Sequence, residues 1–572
     1  MAQRPSYATN PVDISSVTLN LRRHVNGTPE IRLSLRAGFC LSVPLIIGLF
    51  NSQRHYAIVF AIGALWAISQ DGLDDWRVRG PRLLWVALAA GVGVAIGATF
   101  VDQVSDPWAL VVLLGVAALA AGFIEASNLA TPGAYLLIGS ILGAGLQFRG
   151  TVWQSCLCIS LGALWVYLVA AITDARKRLE NQRVFLSNAF TALARLVDAV
   201  RTPRFFVVRA KTLVTLDTAQ DVVGSARLRT GSAEEVALRQ CLVVALRGGE
   251  VVSYLEGKHL SVDPSIAAAL RDVAFTLKNS TGLEAVAQLR DLPSHVNSIH
   301  GLNPVVTSAL HITDASELRA MPPRDSSRAS TRARLPVTER LRFAAILSLA
   351  IVIGAIIAHV LDGSHGFWLP LGVAFILRPD LGPVITRALA RTAGTVVGVG
   401  IAAVVAWAGN SVLSLVALSC VMAAAVPWAQ RRSHVLAVMV FTPIVFVFLA
   451  LLGTEKYLFV PRIIDTILAA SIVLSVDVLL WSAAPSLRPA QQLEKARRAT
   501  ARYERDATRD DPIRRHLLRR GALRAVANAR SSFAQDNSEP HPFRRPDPTT
   551  LHQLDEIESS IDAHTVTLLE GD

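Results

Sequence analysis

Two kinds of pattern alternate along the chain. Across residues 37–172, and again across 343–483, apolar side chains run almost without interruption and charges are nearly absent. Across 1–36, 173–342 and 484–572 charges are frequent, and apolar residues recur at helical spacing in runs such as 184–200 and 233–246. A bilayer-spanning helix needs about 20 apolar residues, with a range of about 17–25. Cut on that scale, the first block gives segments at 34–51, 55–70, 83–101, 108–125, 131–148 and 152–172. The second gives 342–361, 366–378, 388–409, 411–427, 433–452 and 461–483, with 55–70 and 366–378 short for a crossing.

The pattern therefore predicts an all-α polytopic membrane protein. Its parts are a leader at 1–33, a six-span block at 34–172, a helical domain with a basic linker at 173–340, a second six-span block at 341–484 and a helical tail at 485–572. The domain's first helix is expected to continue from the sixth span, and 321–336 reads as a flexible linker. The tail reads as a charged helix near 488–533, a Pro-rich break at 537–548 and a short acidic helix.

Charge adds the orientation. The 572 residues are 52% hydrophobic and only 17% charged, against about 25% charged in soluble domains, and the mean hydropathy is +0.42. A net charge of +12 raises nucleic-acid binding, but the arginines cluster beside apolar segments, so no nucleic-acid partner is expected. Arg77, Arg79 and Arg82, then Arg378, Arg387 and Arg391, then Arg431 and Arg432 fall in alternate loops. Arg176, Lys177 and Arg178 follow the sixth span, and Arg488, Lys495, Arg497 and Arg498 the twelfth. The opposite loops hold only Arg54, Arg149, Lys456 and Arg462, with Asp102, Asp106 and Asp362. The bias puts both termini and the central domain in the cytoplasm. The first apolar run follows a polar leader with Arg22, Arg23, Arg32 and Arg36, so it reads as a retained anchor rather than a cleaved signal.

Several chemistries are not signalled. Cys40, Cys156, Cys158, Cys241 and Cys420 form no C-x-x-C pair and have no zinc spacing, and no metal or cofactor is expected. The sequence carries no G-x-x-x-x-G-K-[ST], H-E-x-x-H or G-x-S-x-G motif, so neither ATP-driven transport nor a familiar hydrolase is expected.

The two apolar blocks resemble each other. Asp71 precedes Arg82 by the same spacing as Asp380 precedes Arg391, and Thr131-Pro132 matches Thr442-Pro443. Arg149 matches Arg462 and His55 matches His365, all in the same order. Halves with an even number of spans share one orientation, so a duplication would relate them by an axis along the membrane normal, with the pathway between them.

Phe367-Trp368-Leu369-Pro370, Arg378-Pro379-Asp380-Leu381-Gly382, Arg387 and Arg391, Gly394-Thr395 with Gly398, and Arg462-Ile463-Ile464-Asp465-Thr466 together resemble the fusaric acid resistance and aromatic acid exporter family. The first half is less similar, with Gln70-Asp71-Gly72 in place of the Pro-Asp-Leu-Gly turn. The resemblance implies export of aromatic or other organic acids across the inner membrane, driven by the proton gradient. The implied partners are the bilayer, a small organic anion and, as an option, further copies of the chain.

The charged and broken places are the candidate sites. Arg387 and Arg391 share a helix face. Near a helix start they can simply anchor it at the interface; the sharper reading is an anion-attracting ring in which Arg391 and Arg82, one from each half, gather carboxylates. Asp71 and Asp380 end short spans, where an Asp can bond backbone N–H groups or cap the next helix; the alternative is proton coupling. Asp465, three residues after Arg462, suggests a neutralising pair, and Asp477, with no cation within a turn, suggests a proton relay. His55 and His365 are loop histidines that can sense pH. Pro132 and Pro443 should kink matching spans, with Thr131 and Thr442 bonding freed carbonyls or substrate. Ala89, Gly93 and Gly97, and Ala390, Gly394, Gly398 and Ala402, form small-residue faces for close helix packing. An anion channel of the same architecture and a membrane factor in envelope assembly are the alternative functions.

Overall fold

The computed structural model describes residues 31–51, 53–72, 76–104, 106–127, 130–146, 151–175, 178–202, 204–224, 232–258, 262–291, 337–361, 366–378, 384–408, 411–452, 459–481, 487–508, 512–538 and 549–569. Every regular element among the described residues is a helix. They fall into two compact units, one of 1–173, 332–484 and 538–543, the other of 174–331, 485–537 and 544–572. Residues 1–30 of the leader, the linker at 321–336, the junction at 176–177, Arg149, Asp362, His365, Asp380 and Lys456 lie outside the described residues.

The first unit holds α1 (Ile31–Phe50), α2 (Arg54–Gln70), α3 (Trp76–Gln103), α4 (Pro107–Glu125), α5 (Ala130–Gly145) and α6 (Val152–Ala175). It also holds α12 (Val337–Val360), α13 (Trp368–Ile376), α14 (Val384–Ala408), α15 (Val412–Arg432), α16 (His434–Leu452) and α17 (Phe459–Val476), the last continued by a π turn at Asp477–Trp481. All twelve apolar segments are helical, but among the described residues nine helices are long and apolar enough to cross a membrane. The exceptions are α2, α5 and α13, with 17, 16 and 9 residues. At ~1.5 Å per residue α13 is about 13 Å long, under half of a ~30 Å hydrocarbon core. It stops because Leu377 is already extended (φ −86°, ψ 95°) and Pro379 disfavours helical backbone at Arg378.

The same pairings recur in the two blocks. α3 packs on α5 and α14 on α16; α4 meets α5 and α15 meets α16. Across the blocks α4 packs on α12 and α1 on α15, while α5 packs on α13 and α2 on α16. The small-residue faces make close approaches. A Cβ on Gly139 of α5 would lie 2.7 Å from the Ala90 carbonyl of α3, and one on Gly394 of α14 2.7 Å from the Val435 carbonyl of α16.

Contacts at helix ends sort this unit into two layers. In one, Arg36 at the start of α1 meets Asp71 after α2 and Thr173 late in α6. In the other, the Tyr56 hydroxyl at the start of α2 donates to Gln154 of α6 (2.9 Å), and Trp108 of α4 lies edge-on to His359 of α12. Successive helices therefore run in opposite directions. Leu41, Ile58, Ile141, Leu369, Ile444 and Val473 fill the interior, while Phe50, Trp407 and Leu413 point outward, as side chains facing lipid do.

The second unit holds α7 (Arg178–Asp198), α8 (Phe205–Ala219, continued by a π turn at Gln220–Gly224), α9 (Ala233–Gly257), α10 (Pro264–Asn279) and α11 (Gly282–Asp291). The tail helices α18 (Leu487–Asp506), α19 (Pro512–Ser538) and α20 (Thr549–Leu569) belong to the same unit, with α20 packed on α9 and α18. The single tail helix expected over 488–533 is thus two. Pro512 lacks an N–H and opens α19, as proline does in a first turn, rather than continuing α18. Buried ion pairs join the tail to the central helices. Arg209 of α8 binds Glu558 (2.5 Å) and Asp562 (2.7 Å) of α20; Arg515 binds Glu250 (3.4 Å), and Arg520 and Arg524 bind Asp217.

Candidate functional site

The half-length helix α13 is buried along nearly its whole length, from Trp368 to Ile376. Non-helical or interrupted backbone at membrane depth is tolerated where it is enclosed by protein or lines a cavity, which makes α13 the natural centre of a site. Arginines lie at both of its ends. At its start, the Arg462 guanidinium of α17 stacks over the Trp368 ring at 4.1 Å. At its end, Arg391 of α14 stacks over Phe375 at 4.3 Å, and Arg378 approaches the same ring at 5.8 Å. Trp368 and Phe375 are seven residues apart, so the two stacks are roughly 10 Å apart along α13 at ~1.5 Å per residue.

These cations are not neutralised equally. Arg378 Nε lies 3.9 Å from Glu125 Oε1 at the end of α4. Arg387 donates to the Arg378 carbonyl at 3.0 Å; this ties the start of α14 to the end of α13 and occupies a helix-terminal carbonyl. Arg391 is 8% exposed, with Arg378 and Arg462 within electrostatic reach, and no described acid or hydrogen-bond acceptor touches it. A cation held inside a bundle is costly unless something anionic meets it, and such residues mark substrate or ion pathways.

The corresponding place in the first block is balanced. Asp71, just after α2, lies 2.6 Å from Arg36 Nη2 and 3.5 Å from Arg79 Nε. Arg79 donates to the Gly72 carbonyl and stacks on Trp76 at 5.2 Å. Arg79 thus fastens the end of α2 to the start of α3, as Arg387 fastens α13 to α14. Nearby, Tyr135 shares a 2.8 Å hydrogen bond with Ser69 and packs on Trp66.

The candidates separate accordingly. Arg391 and Arg387 are brought together at the end of α13, while Arg82 is half-buried on α3 with contacts of its own. Asp71 is an ion-pair partner, and Asp380 lies outside the described residues. Asp465 lies within electrostatic reach of Arg462, whose guanidinium stacks on Trp368. Asp477 opens the π turn that ends α17 and so sits at a helix end rather than mid-span. The matching prolines differ: Pro443 is inside α16, but Pro132 is in the first turn of α5, where its missing N–H breaks no helical bond and Thr131 has no freed carbonyl to bond. Thr442 donates to the Val438 carbonyl at 2.9 Å. Sequence reasoning missed Arg36, Glu125, Trp368 and Phe375 as site residues. Glu125 had a signal, as the one charged residue in an otherwise apolar α4.

Comparison with known proteins places this site in context. Residues 351–476 match the family described as "Fusaric acid resistance protein-like". The chain is 26% identical over 212 residues to the inner membrane protein YccS of Escherichia coli, covering 36% of this chain and 30% of that protein. It is 23% identical over 491 residues to the uncharacterized membrane protein YvaC of Bacillus subtilis, covering 80% of this chain and 74% of that protein. Uncharacterized protein ORF2 of Neisseria gonorrhoeae is 28% identical over 213 residues, half of its own length. No solved structure matches. The matched segment contains α13, both of its arginine–aromatic stacks and the start of α14. The chain is therefore a multi-pass membrane protein whose residues 351–476 are similar to the fusaric acid resistance protein-like family.

Proposed function

We propose that the protein is a secondary-active exporter of aromatic or other organic acids in the bacterial inner membrane, coupled to protons. The observation that carries this reading is Arg391, a buried cation with no described acid against it, stacked on Phe375 beside a half-length helix. A planar guanidinium on an aromatic face suits a ligand that is both flat and anionic, because it offers paired N–H donors to a carboxylate and a ring wall to an aromatic body. The two blocks act as parallel repeats, a reading supported by the recurrence of their helix pairings and by the reciprocal contacts across them. The layer holding Arg36, Asp71, Glu125 and Arg378 is assigned to the cytoplasmic side, with both termini and the second unit there, on the loop charges. Arg82 and Arg387 line the approach, and Asp71, Asp465 and Asp477 are secondary proton-coupling positions.

The test is efflux of a panel of aromatic acids from loaded cells expressing wild type or Arg391→Gln at matched levels. Loss of gradient-dependent efflux in the variant is expected; unchanged kinetics across the panel would remove Arg391 from the pathway and the reading with it. An anion channel of the same architecture would carry only downhill flux whatever the pH gradient.

A further inference from the structure

The ion pairs that join the tail to the central helices leave Arg519 without an acid. Arg209 is answered by Glu558 and Asp562, Arg515 by Glu250, Arg520 and Arg524 by Asp217, and Arg530 by Asp555 and Glu558. Arg519 of α19 is 3% exposed. Its Nε donates to the Thr565 hydroxyl of α20 at 3.2 Å, while its Nη2 has no acceptor among the described residues. A neutral hydroxyl does not cancel a charge, and a buried charge left uncompensated is costly.

Arg519 lines a cavity of about 20 Å³ within the second unit. Arg209, Arg520, Thr212 and Ser253 share the wall with leucines of α7, α8, α9 and α19, and no acid among the described residues lines it. One water needs about 10–15 Å³. The cavity therefore takes a single occupant little larger than a water and is too small for an organic acid or a phosphate. The leucines keep bulk water and its counterions away, so the attraction between a guanidinium and an enclosed anion is weakly screened. The two hydroxyls differ. Thr212 donates to the Val208 carbonyl at 2.9 Å, Ser253 to the Gly249 carbonyl at 3.2 Å. The second is long for an O–H···O bond, which is usually about 2.7–2.8 Å, so Ser253 has the proton that can swing to an anion.

We infer that Arg519, with Arg209, Arg520 and Ser253, forms a site for one small inorganic anion of chloride size, which fastens tail helix α19 to α8 and α9. The anion supplies the charge that Arg519 lacks, and it is held by charge-assisted hydrogen bonds. The site is separate from the exporter reading and does not rest on it. Its walls come from both the central helices and the tail, so anion binding and tail docking stabilise each other.

The experiment is hydrogen exchange of the α19 amides in the purified full-length protein. Sodium chloride is replaced stepwise by sodium gluconate, an ion too large for the cavity, at constant ionic strength so that screening stays fixed. A ligand that binds only the closed state multiplies protection by about 1 + [L]/Kd. Wild type should thus gain roughly tenfold once chloride reaches about ten times its Kd, and bromide should replace chloride. Arg519→Gln removes the charge, keeps an amide for Thr565 and should show no chloride dependence in α19. Flat protection across the wild-type series would mean that water alone suits the cavity, and overturns the inference. A chloride dependence in α19 that survives Arg519→Gln also overturns it, because the ion then acts elsewhere. If Arg519→Gln does not fold, Arg519→Lys keeps the charge but loses the forked donors. It must move the midpoint to higher chloride, and an unmoved midpoint overturns the site.

Discussion

Arg209 offers a sharp test of how the tail is held in the second unit. Its side chain is 2% exposed, ion-paired to Glu558 at 2.5 Å and Asp562 at 2.7 Å, and stacked on Phe205 and Phe206 at 5.2 and 5.1 Å. Arg209→Leu keeps an apolar body in the site but takes its cation from buried Asp562, and leaves Glu558 to Arg530 at 2.6 Å. Breaking a buried pair from one side costs about 3–5 kcal/mol, and the lost cation–π contacts lie within that range. Taking ~4 kcal/mol and ~1.36 kcal/mol per tenfold, docking of α20 should weaken by nearly three decades. Hydrogen exchange of the α20 amides, measured on the detergent-purified full-length protein, reads this directly, because exchange follows the population of the locally open state. A rise of roughly 100-fold or more is expected. Adding Asp562→Asn to the variant removes the stranded charge, while Glu558 keeps Arg530, and should return much of the protection. Exchange in α20 within about threefold of wild type would refute the view that these ion pairs hold the tail. The effect should not depend on pH in the working range. Burial alone would lower the Arg209 pKa, but Asp562 and Glu558 outweigh it and hold the pKa above its ordinary value. A raised folded-state pKa gives stability that is complete below the unfolded value and lost only as pH climbs through the folded one, which is far into alkali.

Three further expectations follow from particular side chains. Gly394→Ala would drive a Cβ to 2.7 Å from the Val435 carbonyl and 2.8 Å from Val438 Cβ. It should destabilise the α14–α16 packing by about 1–3 kcal/mol, read as a lower melting temperature of the purified protein; an unchanged value would remove the close-packing account. Cys241 is fully buried, and burial, with Glu234 adding to it, pushes its thiol pKa far up, so maleimide labelling of the native protein at pH 8 should leave it unmodified until denaturant is added. Asp263 caps α10 by accepting from Ser265 N at 2.9 Å, and that hydrogen bond lowers its pKa. Its contribution is present above the unfolded carboxylate pKa and lost as pH falls through the lower folded value. Asp263→Ala should therefore loosen the start of α10 at neutral pH, seen as faster exchange of its first-turn amides.

The sequence alone determined the two apolar blocks, the helical character of every segment and the family resemblance of the second block. Apolar runs of bilayer length leave the backbone only one way to satisfy its hydrogen bonds, so hydropathy suffices there. The small-residue faces were legible for a similar reason: glycine and alanine at four-residue spacing can only mean close approach on one side. The partners of the charges were not legible. Asp71 and Arg36 are far apart in sequence, and Glu125 and Arg378 belong to different blocks, so nothing in local spacing connects them. Three-residue spacing put Asp465 within electrostatic reach of Arg462, but only the packing shows that the Arg462 guanidinium stacks on Trp368. The prolines of α5 and α16 looked equivalent in sequence, yet where each helix begins decided that only Pro443 lies inside one. The tail's membership in the second unit was likewise invisible, because Arg209 finds Glu558 and Asp562 only when helices from opposite ends of the chain fold together. Local pattern fixes which segments become helices, while long-range packing fixes which charges meet; the candidate site around α13 depends on the second.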